Sequence, residues 1–126
     1  MTHILIVEDE TRLRQDLGDF LELRGFEVTG AATARDMRAA LTDGPPPAVI
    51  ILDVGLPDGN GFDLTKEIRQ SHDCGIIMLT GFGDSADRVR GFDSGADIYL
   101  VKHSSLREVE AAIRSLLRRT GNLPRT

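Results

Sequence analysis

Short apolar segments recur along the chain and predict five β-strands. Three of them are unbroken runs of Ile, Val and Leu, which is typical of parallel strands covered by helices on both faces. The segments are too short to cross a bilayer, so no membrane contact is predicted. The predicted strands are Ile4 to Val7, Phe26 to Val28, Val49 to Leu52, Ile76 to Leu79 and Ile98 to Val101.

The gaps between these strands carry the spacing of amphipathic helices. Thr33 followed by Asp36 resembles a capping arrangement, whereas Gly91 interrupts the fourth helix and makes it the weakest. The predicted helices lie around Leu13 to Leu21, Thr33 to Leu41, Phe62 to Ile68, Ser85 to Ser94 and Leu106 to Leu117. This alternation of strand and helix predicts an open, doubly wound parallel α/β sheet, (βα)5, with ligands beyond the carboxyl ends of the strands.

Composition favours one domain. The 126 residues are 40% hydrophobic and 28% charged, as in soluble globular proteins. The N-terminal segment MTHILIVEDE lacks the basic region of a signal peptide, so a cytoplasmic setting is expected. The single cysteine, Cys74, lies beside an apolar run and is expected to be a buried, inert thiol.

The net charge of -5 argues against nucleic-acid binding by this domain alone, because phosphate contacts need a concentrated positive surface. Arginines do cluster near the C-terminus. A solvated helix face followed by a linker accounts for them. They are Arg114, Arg118, Arg119 and Arg125.

The carboxyl ends of four predicted strands are polar. Glu8 and Asp9 follow the first strand, Asp53 the third, Thr80 the fourth and Lys102 the fifth. Because these ends converge in a parallel sheet, Glu8, Asp9 and Asp53 are expected to lie within a few ångströms of each other. Two unit charges about 4 Å apart repel by roughly 4 kcal/mol at an effective dielectric of about 20. The cluster must therefore protonate, spread apart or recruit a cation.

A divalent cation is the simplest of these answers. The three carboxylates, water and a backbone carbonyl after Asp53, most naturally that of Gly55, form a hard oxygen site. Such a site suits octahedral Mg²⁺, and Mn²⁺ can substitute. The predicted metal ligands are Glu8, Asp9, Asp53 and the Gly55 carbonyl.

Asp53 is the better-placed nucleophile in this cluster. A carboxylate beside a metal is ionised at neutral pH and can attack phosphorus without a general base. The Lys102 ammonium, the Thr80 hydroxyl and nearby backbone N–H groups, Gly81 among them, would neutralise the phosphoryl oxygens.

Four segments resemble the receiver domain of bacterial two-component response regulators. They are ILIVEDE (4–10), VIILDVGLPDGNGFDL (49–64), IIMLTGFG (76–83) and GFDSGADIYLVK (91–102). The resemblance implies a flavodoxin-like fold with strand order 2-1-3-4-5. It covers residues 1–119 as the receiver domain, and residues 120–126 would begin a linker to an effector domain or form a disordered tail.

The resemblance also implies a function. Asp53 would take its phosphoryl group from a sensor histidine kinase, Glu8, Asp9, Asp53 and the Gly55 carbonyl would bind Mg²⁺, and the domain would catalyse only its own phosphoryl transfer and dephosphorylation. Thr80 would shift toward the phosphoryl group while Tyr99 turns inward. These movements would reshape the surface formed by the fourth helix, the fifth strand and the fifth helix.

The segment SSLREVEAAIRSLLRRTG resembles the fifth helix and linker of response regulators that carry a winged-helix DNA-binding domain. It predicts a transcription regulator that contacts DNA only through an effector domain. Those relatives have an acid where Ile98 stands and an arginine where Ala112 stands, so a homodimer here would use a more apolar contact. His103 follows Lys102 where the family usually has a cis proline, which favours a trans bond at this position.

Other function classes remain open alternatives. A stand-alone receiver would share the same site and act through protein–protein contact. A phosphatase of the haloacid dehalogenase kind would have its nucleophile on the first strand and a second Asp two residues later, whereas Asp53 is followed by Val54 and Gly55. A flavodoxin-type protein would bind phosphate after the first strand, where Glu8 and Asp9 would repel it.

Overall fold

Five parallel strands form the central sheet of the computed structural model, which describes residues 1–81 and 93–120. The strands are β1 (His3–Val7), β2 (Glu27–Ala31), β3 (Val49–Asp53), β4 (Gly75–Thr80) and β5 (Ile98–Val101). Their order in the sheet is β2-β1-β3-β4-β5, and each neighbouring pair is parallel. The predicted fold class and strand order are confirmed.

Four helices connect or follow these strands in the described residues. They are α1 (Thr11–Leu23), α2 (Ala34–Asp43), α3 (Gly61–Arg69) and the C-terminal helix (Leu106–Thr120). The cap predicted at Thr33 is present, because the Asp36 N–H donates to Thr33 Oγ1 at 3.0 Å. The predicted helix at Ser85 to Ser94 lies almost entirely outside the described residues.

None of the described helices has both the length and the apolar character that a membrane span needs.

The second strand differs from its prediction. It covers Glu27–Ala31 rather than Phe26 to Val28. Phe26 is buried, but its N–H donates to the Leu21 carbonyl at 3.1 Å, so it belongs to the turn after α1. β2 is an edge strand paired only with β1, and its exposed positions carry few apolar residues. Apolar content therefore predicted the presence of this strand correctly and its limits wrongly.

Side chains alternate between two cores, one on each face of the sheet. Ile50 and Leu52 of β3 pack with α2 and α3, whereas Val49 and Ile51 pack with α1 and the C-terminal helix. Cys74 is buried in the first of these cores, and burial raises the pKa of its thiol. The prediction that Cys74 is a buried thiol is confirmed.

A two-stranded hairpin between β3 and α3 was not predicted. Gly55–Leu56 pairs antiparallel with Gly59–Asn60. The loop then closes tightly onto β3, because the Gly61 N–H donates to the Val54 carbonyl at 2.7 Å. A Cβ atom at Gly61 would lie 2.7 Å from the Asp53 carbonyl oxygen, so this approach requires glycine. The hairpin is thereby held against the carboxyl end of β3.

Candidate functional site

Three carboxylates meet where β1 and β3 end. Glu8 and Asp9 follow β1, while Asp53 is the last residue of β3, and these two strands are neighbours. One oxygen from each carboxylate lies within 4.8 Å of the others. Glu8 and Asp53 are 0% and 2% exposed, whereas Asp9 is exposed at the rim. The structure thus brings together the acids that the strand order placed at one edge.

Lys102 contributes the positive charge next to this cluster. Its Nζ lies 3.1 Å from Asp53 Oδ2 and 3.2 Å from Glu8 Oε1. The backbone of Lys102 is fixed as well, since its N–H donates to the Thr80 carbonyl at 2.6 Å. No cis peptide bond occurs in the described residues, so the Lys102–His103 bond is trans, as expected from His103. With this trans bond the ammonium still contacts Asp53.

Thr80 and Gly81 lie at the carboxyl end of β4, beside β3. Thr80 is buried as the last residue of β4, and Gly81 follows it at the surface. In the sheet register Asp53 pairs with Leu79, which places Thr80 one residue beyond the level of Asp53. Both residues are therefore at the edge of the sheet that carries the carboxylates.

Besides its contact with Lys102, Glu8 is held by hydrogen bonds to its backbone and side chain. Its N–H donates to the Ala31 carbonyl at 2.9 Å, and its Oε2 accepts from the Glu10 N–H at 3.0 Å. Its carbonyl accepts from the Arg14 guanidinium at 2.7 Å. Sequence reasoning missed Arg14, because α1 carries more than one arginine and nothing in the spacing singles this one out. The fixed backbone leaves Glu8 little freedom to move away from Asp53.

Burial and crowding shift the pKa values of the acids in opposite directions. Burial, with the charge of Asp53 adding to it, raises the pKa of Glu8 to about 7. Burial also raises the pKa of Asp53, although Lys102 and the Gly55 N–H oppose it. The pKa of Asp9 is lowered, because hydrogen bonds with Glu8 and Asp53 outweigh the effect of burial. Without a cation, Glu8 is therefore expected to be partly protonated near neutral pH.

Metal-free protein is expected to lose stability as the pH rises. The folded-state pKa of Glu8, about 7, lies above the ordinary value of 4.5, so the folded state holds a proton that the unfolded state has released. This contribution is complete below the ordinary value and is lost as the pH rises through about 7. It amounts to at most about 3 kcal/mol.

The measurement is thermal unfolding of the wild type and of Glu8→Gln in the presence of a chelator, from about pH 5 to about pH 8. The wild type should lose stability relative to Glu8→Gln across this range. A difference between the two proteins that stays constant or grows in favour of the wild type would contradict the prediction.

Tyr99 lies on β5, the edge strand next to β4. It is a partly buried residue of β5 and packs against the core that includes α2 and α3. In the register it pairs with Met78, two residues before Thr80. The structure thus brings Glu8, Asp9, Asp53 and Lys102 together, whereas Tyr99 is not a member of this cluster. Its predicted switch role stays a prediction.

The sequence profile of the response regulator receiver domain matches residues 4–114. The chain belongs to this family. It is 46% identical over 121 residues to "Probable transcriptional regulator ycf27" of Cyanophora paradoxa, and the aligned residues are 94% of the chain and 49% of that protein. It is 42% identical over 120 residues to the transcriptional regulatory protein CpxR of Klebsiella pneumoniae subsp. pneumoniae, and the aligned residues are 95% of the chain and 51% of that protein. The chain thus spans about half the length of these relatives.

A solved receiver domain has the same architecture. The receiver domain of the TMAO respiratory system response regulator TorR is 36% identical and superposes with a TM-score of 0.88, covering 94% of this chain and 98% of that domain. The protein is therefore a receiver domain of the two-component response regulators, whose members act as phosphoacceptor switches, and its relatives include transcriptional regulators. This family decides against the haloacid dehalogenase and flavodoxin-type alternatives.

Proposed function

We propose that this receiver domain accepts a phosphoryl group on a carboxylate oxygen of Asp53, with a histidine kinase as donor. The observation that carries the proposal is the cluster itself. Three carboxylates lie within 4.8 Å of one another, and the Lys102 ammonium lies 3.1 Å from Asp53. Asp53 is buried as the last residue of β3, the middle strand of the sheet, and contacts this ammonium, which supports it as acceptor.

The same residues fit a divalent cation, Mg²⁺ or Mn²⁺ in its place. Glu8, Asp9 and Asp53 offer hard oxygen donors, and the Gly55 carbonyl on the adjoining hairpin would complete the set. The raised pKa of Glu8 supports this fit, because it reflects the cost of crowded buried negative charge that a bound cation would neutralise. When bound, the cation supplies charge neutralisation for the phosphoryl oxygens.

The residues of the chain have separate roles in the transfer. An Asp53 oxygen attacks phosphorus, so that an O–P bond forms while the N–P bond to the kinase histidine breaks, and the imidazole keeps that electron pair. Asp53 needs no general base, because the attacking form is the carboxylate. Lys102 would pass from its contact with Asp53 to a phosphoryl oxygen, and the Thr80 hydroxyl and Gly81 N–H would bind the others.

Phosphorylation would then bias a two-state surface. Thr80 would follow the phosphoryl group and Tyr99 would turn inward, which alters the surface that includes β5 and the C-terminal helix. Moving a population from about 1:99 to about 99:1 takes roughly 5.5 kcal/mol, which a few charge-assisted hydrogen bonds can supply. In the whole protein this surface would control a DNA-binding effector domain beyond residue 119. The protein would act in the cytoplasm, and a homodimer would be one active form.

The test is phosphoryl transfer from acetyl phosphate, followed by intact mass with and without Mg²⁺. One phosphoryl group should be added to the wild type, and only when Mg²⁺ is present. Borohydride reduction and peptide mapping should locate it at Asp53. Phosphoryl addition that does not depend on Mg²⁺, or that is located at another acid, would contradict the proposal.

A further inference from the structure

Asp58 joins the hairpin after β3 to the neighbouring helix α2. Its Oδ1 accepts from the Ala34 N–H at 2.7 Å, and its Oδ2 accepts from the Arg35 N–H at 3.1 Å. These are the first two residues of α2, whose N–H groups have no partner within the helix. The hydrogen bond from Ala34 lowers the pKa of Asp58, so the carboxylate is ionised at neutral pH. The hairpin turn is therefore attached to an element that lies earlier in the chain.

The same loop is also attached at its other end. Asn60 Oδ1 accepts from the Phe62 N–H at 2.8 Å, which caps α3, and the Gly61 N–H donates to the Val54 carbonyl. Gly55 pairs with Asn60 across the hairpin and is itself exposed. A Cβ atom at Gly55 would meet nothing within 4 Å, so side-chain packing does not hold this residue in place. Gly55 is held by its own N–H, which donates to Asp53 Oδ1 at 3.2 Å, and by the contacts made elsewhere in the hairpin.

We propose that Asp58 is a positioning residue for the metal site, acting through the hairpin that carries the Gly55 carbonyl. The inference rests on the proposed function in one respect, the assignment of that carbonyl as a metal ligand. A backbone ligand has no rotamer of its own, so its position depends on the loop that carries it. Binding of Asp58 to α2 preorganises the loop and lowers the ordering cost that metal binding would otherwise meet.

The test compares Asp58→Ala with Thr33→Ala. Thr33 caps the same end of α2 through the Asp36 N–H, so its loss weakens that helix without touching the hairpin. Mg²⁺ affinity is measured by calorimetric titration, and stability by urea unfolding. Both variants should be destabilised, whereas Asp58→Ala alone should bind Mg²⁺ about tenfold more weakly.

Asp58→Asn keeps one acceptor oxygen, so its Mg²⁺ affinity should fall by about threefold. This variant also tests the inference if Asp58→Ala does not fold. Affinities of both Asp58 variants equal to that of Thr33→Ala would overturn the inference and leave the proposed function standing. A wild type that binds no Mg²⁺ would instead overturn the proposed function, and this inference with it.

Discussion

Asp53→Asn is expected to take up no phosphoryl group from acetyl phosphate, even at saturating Mg²⁺. The amide has the shape of the carboxylate but lacks the ionised oxygen that would attack phosphorus. Asp53 is 2% exposed, and this near-isosteric change leaves the packing around it undisturbed. The charge of Asp53 also helps to raise the pKa of Glu8, so that pKa should fall in the variant. Intact mass after incubation measures the uptake.

A matched control is Asp16→Asn, which changes an exposed acid on α1 in the same way. It should be phosphorylated to the same extent as the wild type. Far-ultraviolet circular dichroism should show that both variants are folded. Phosphoryl addition to Asp53→Asn at the wild-type level would remove the assignment of Asp53 as acceptor.

Lys102→Met is expected to slow phosphoryl uptake by about 100-fold or more. Removing one preorganised group that stabilises developing charge typically costs about 100- to 1000-fold in rate. Methionine retains much of the side-chain bulk and loses the ammonium that contacts both Asp53 and Glu8. The rate is followed by time-resolved intact mass at saturating Mg²⁺ and acetyl phosphate.

Lys66→Met is the natural comparison, because Lys66 is the other lysine of the chain and is exposed on α3. Its uptake rate should equal that of the wild type. A decrease at Lys102→Met of less than about tenfold would show that the ammonium is not needed for transfer. A similar decrease in both variants would point to a general effect of lysine loss.

The carboxylate cluster was predictable because topology, not local sequence, determines it. Once unbroken apolar runs alternate with helices, the doubly wound arrangement places the ends of the first and third strands side by side. Glu8 and Asp53 follow from that rule even though a long segment separates them in the chain. Lys102 follows from the same rule at the fifth strand. The roles proposed for these residues followed from carboxylate and phosphoryl chemistry, and the resemblance to receiver domains added the kinase donor and the switch.

Other contacts could not be predicted from the sequence. Asp58 lies in a Pro-Asp-Gly turn, where aspartate is common for purely local reasons, so nothing indicates that it binds α2. Arg14 donates to the Glu8 carbonyl because α1 packs beside β1. The sequence does not show which arginine of α1 reaches this carbonyl. The limits of β2 were missed because an edge strand needs less apolar sequence than a central one.

The alternation of side chains along β5 places neighbouring residues on opposite faces of the sheet. Ile98 packs against the core that contains Ile51, whereas its neighbour Tyr99 packs against the core on the opposite face, which contains Leu52. A substitution at Tyr99 therefore perturbs the packing on one face of the sheet, and a substitution at Ile98 perturbs the packing on the other face. Adjacent residues of β5 can therefore be mutated to perturb one core of the domain while the other keeps its packing.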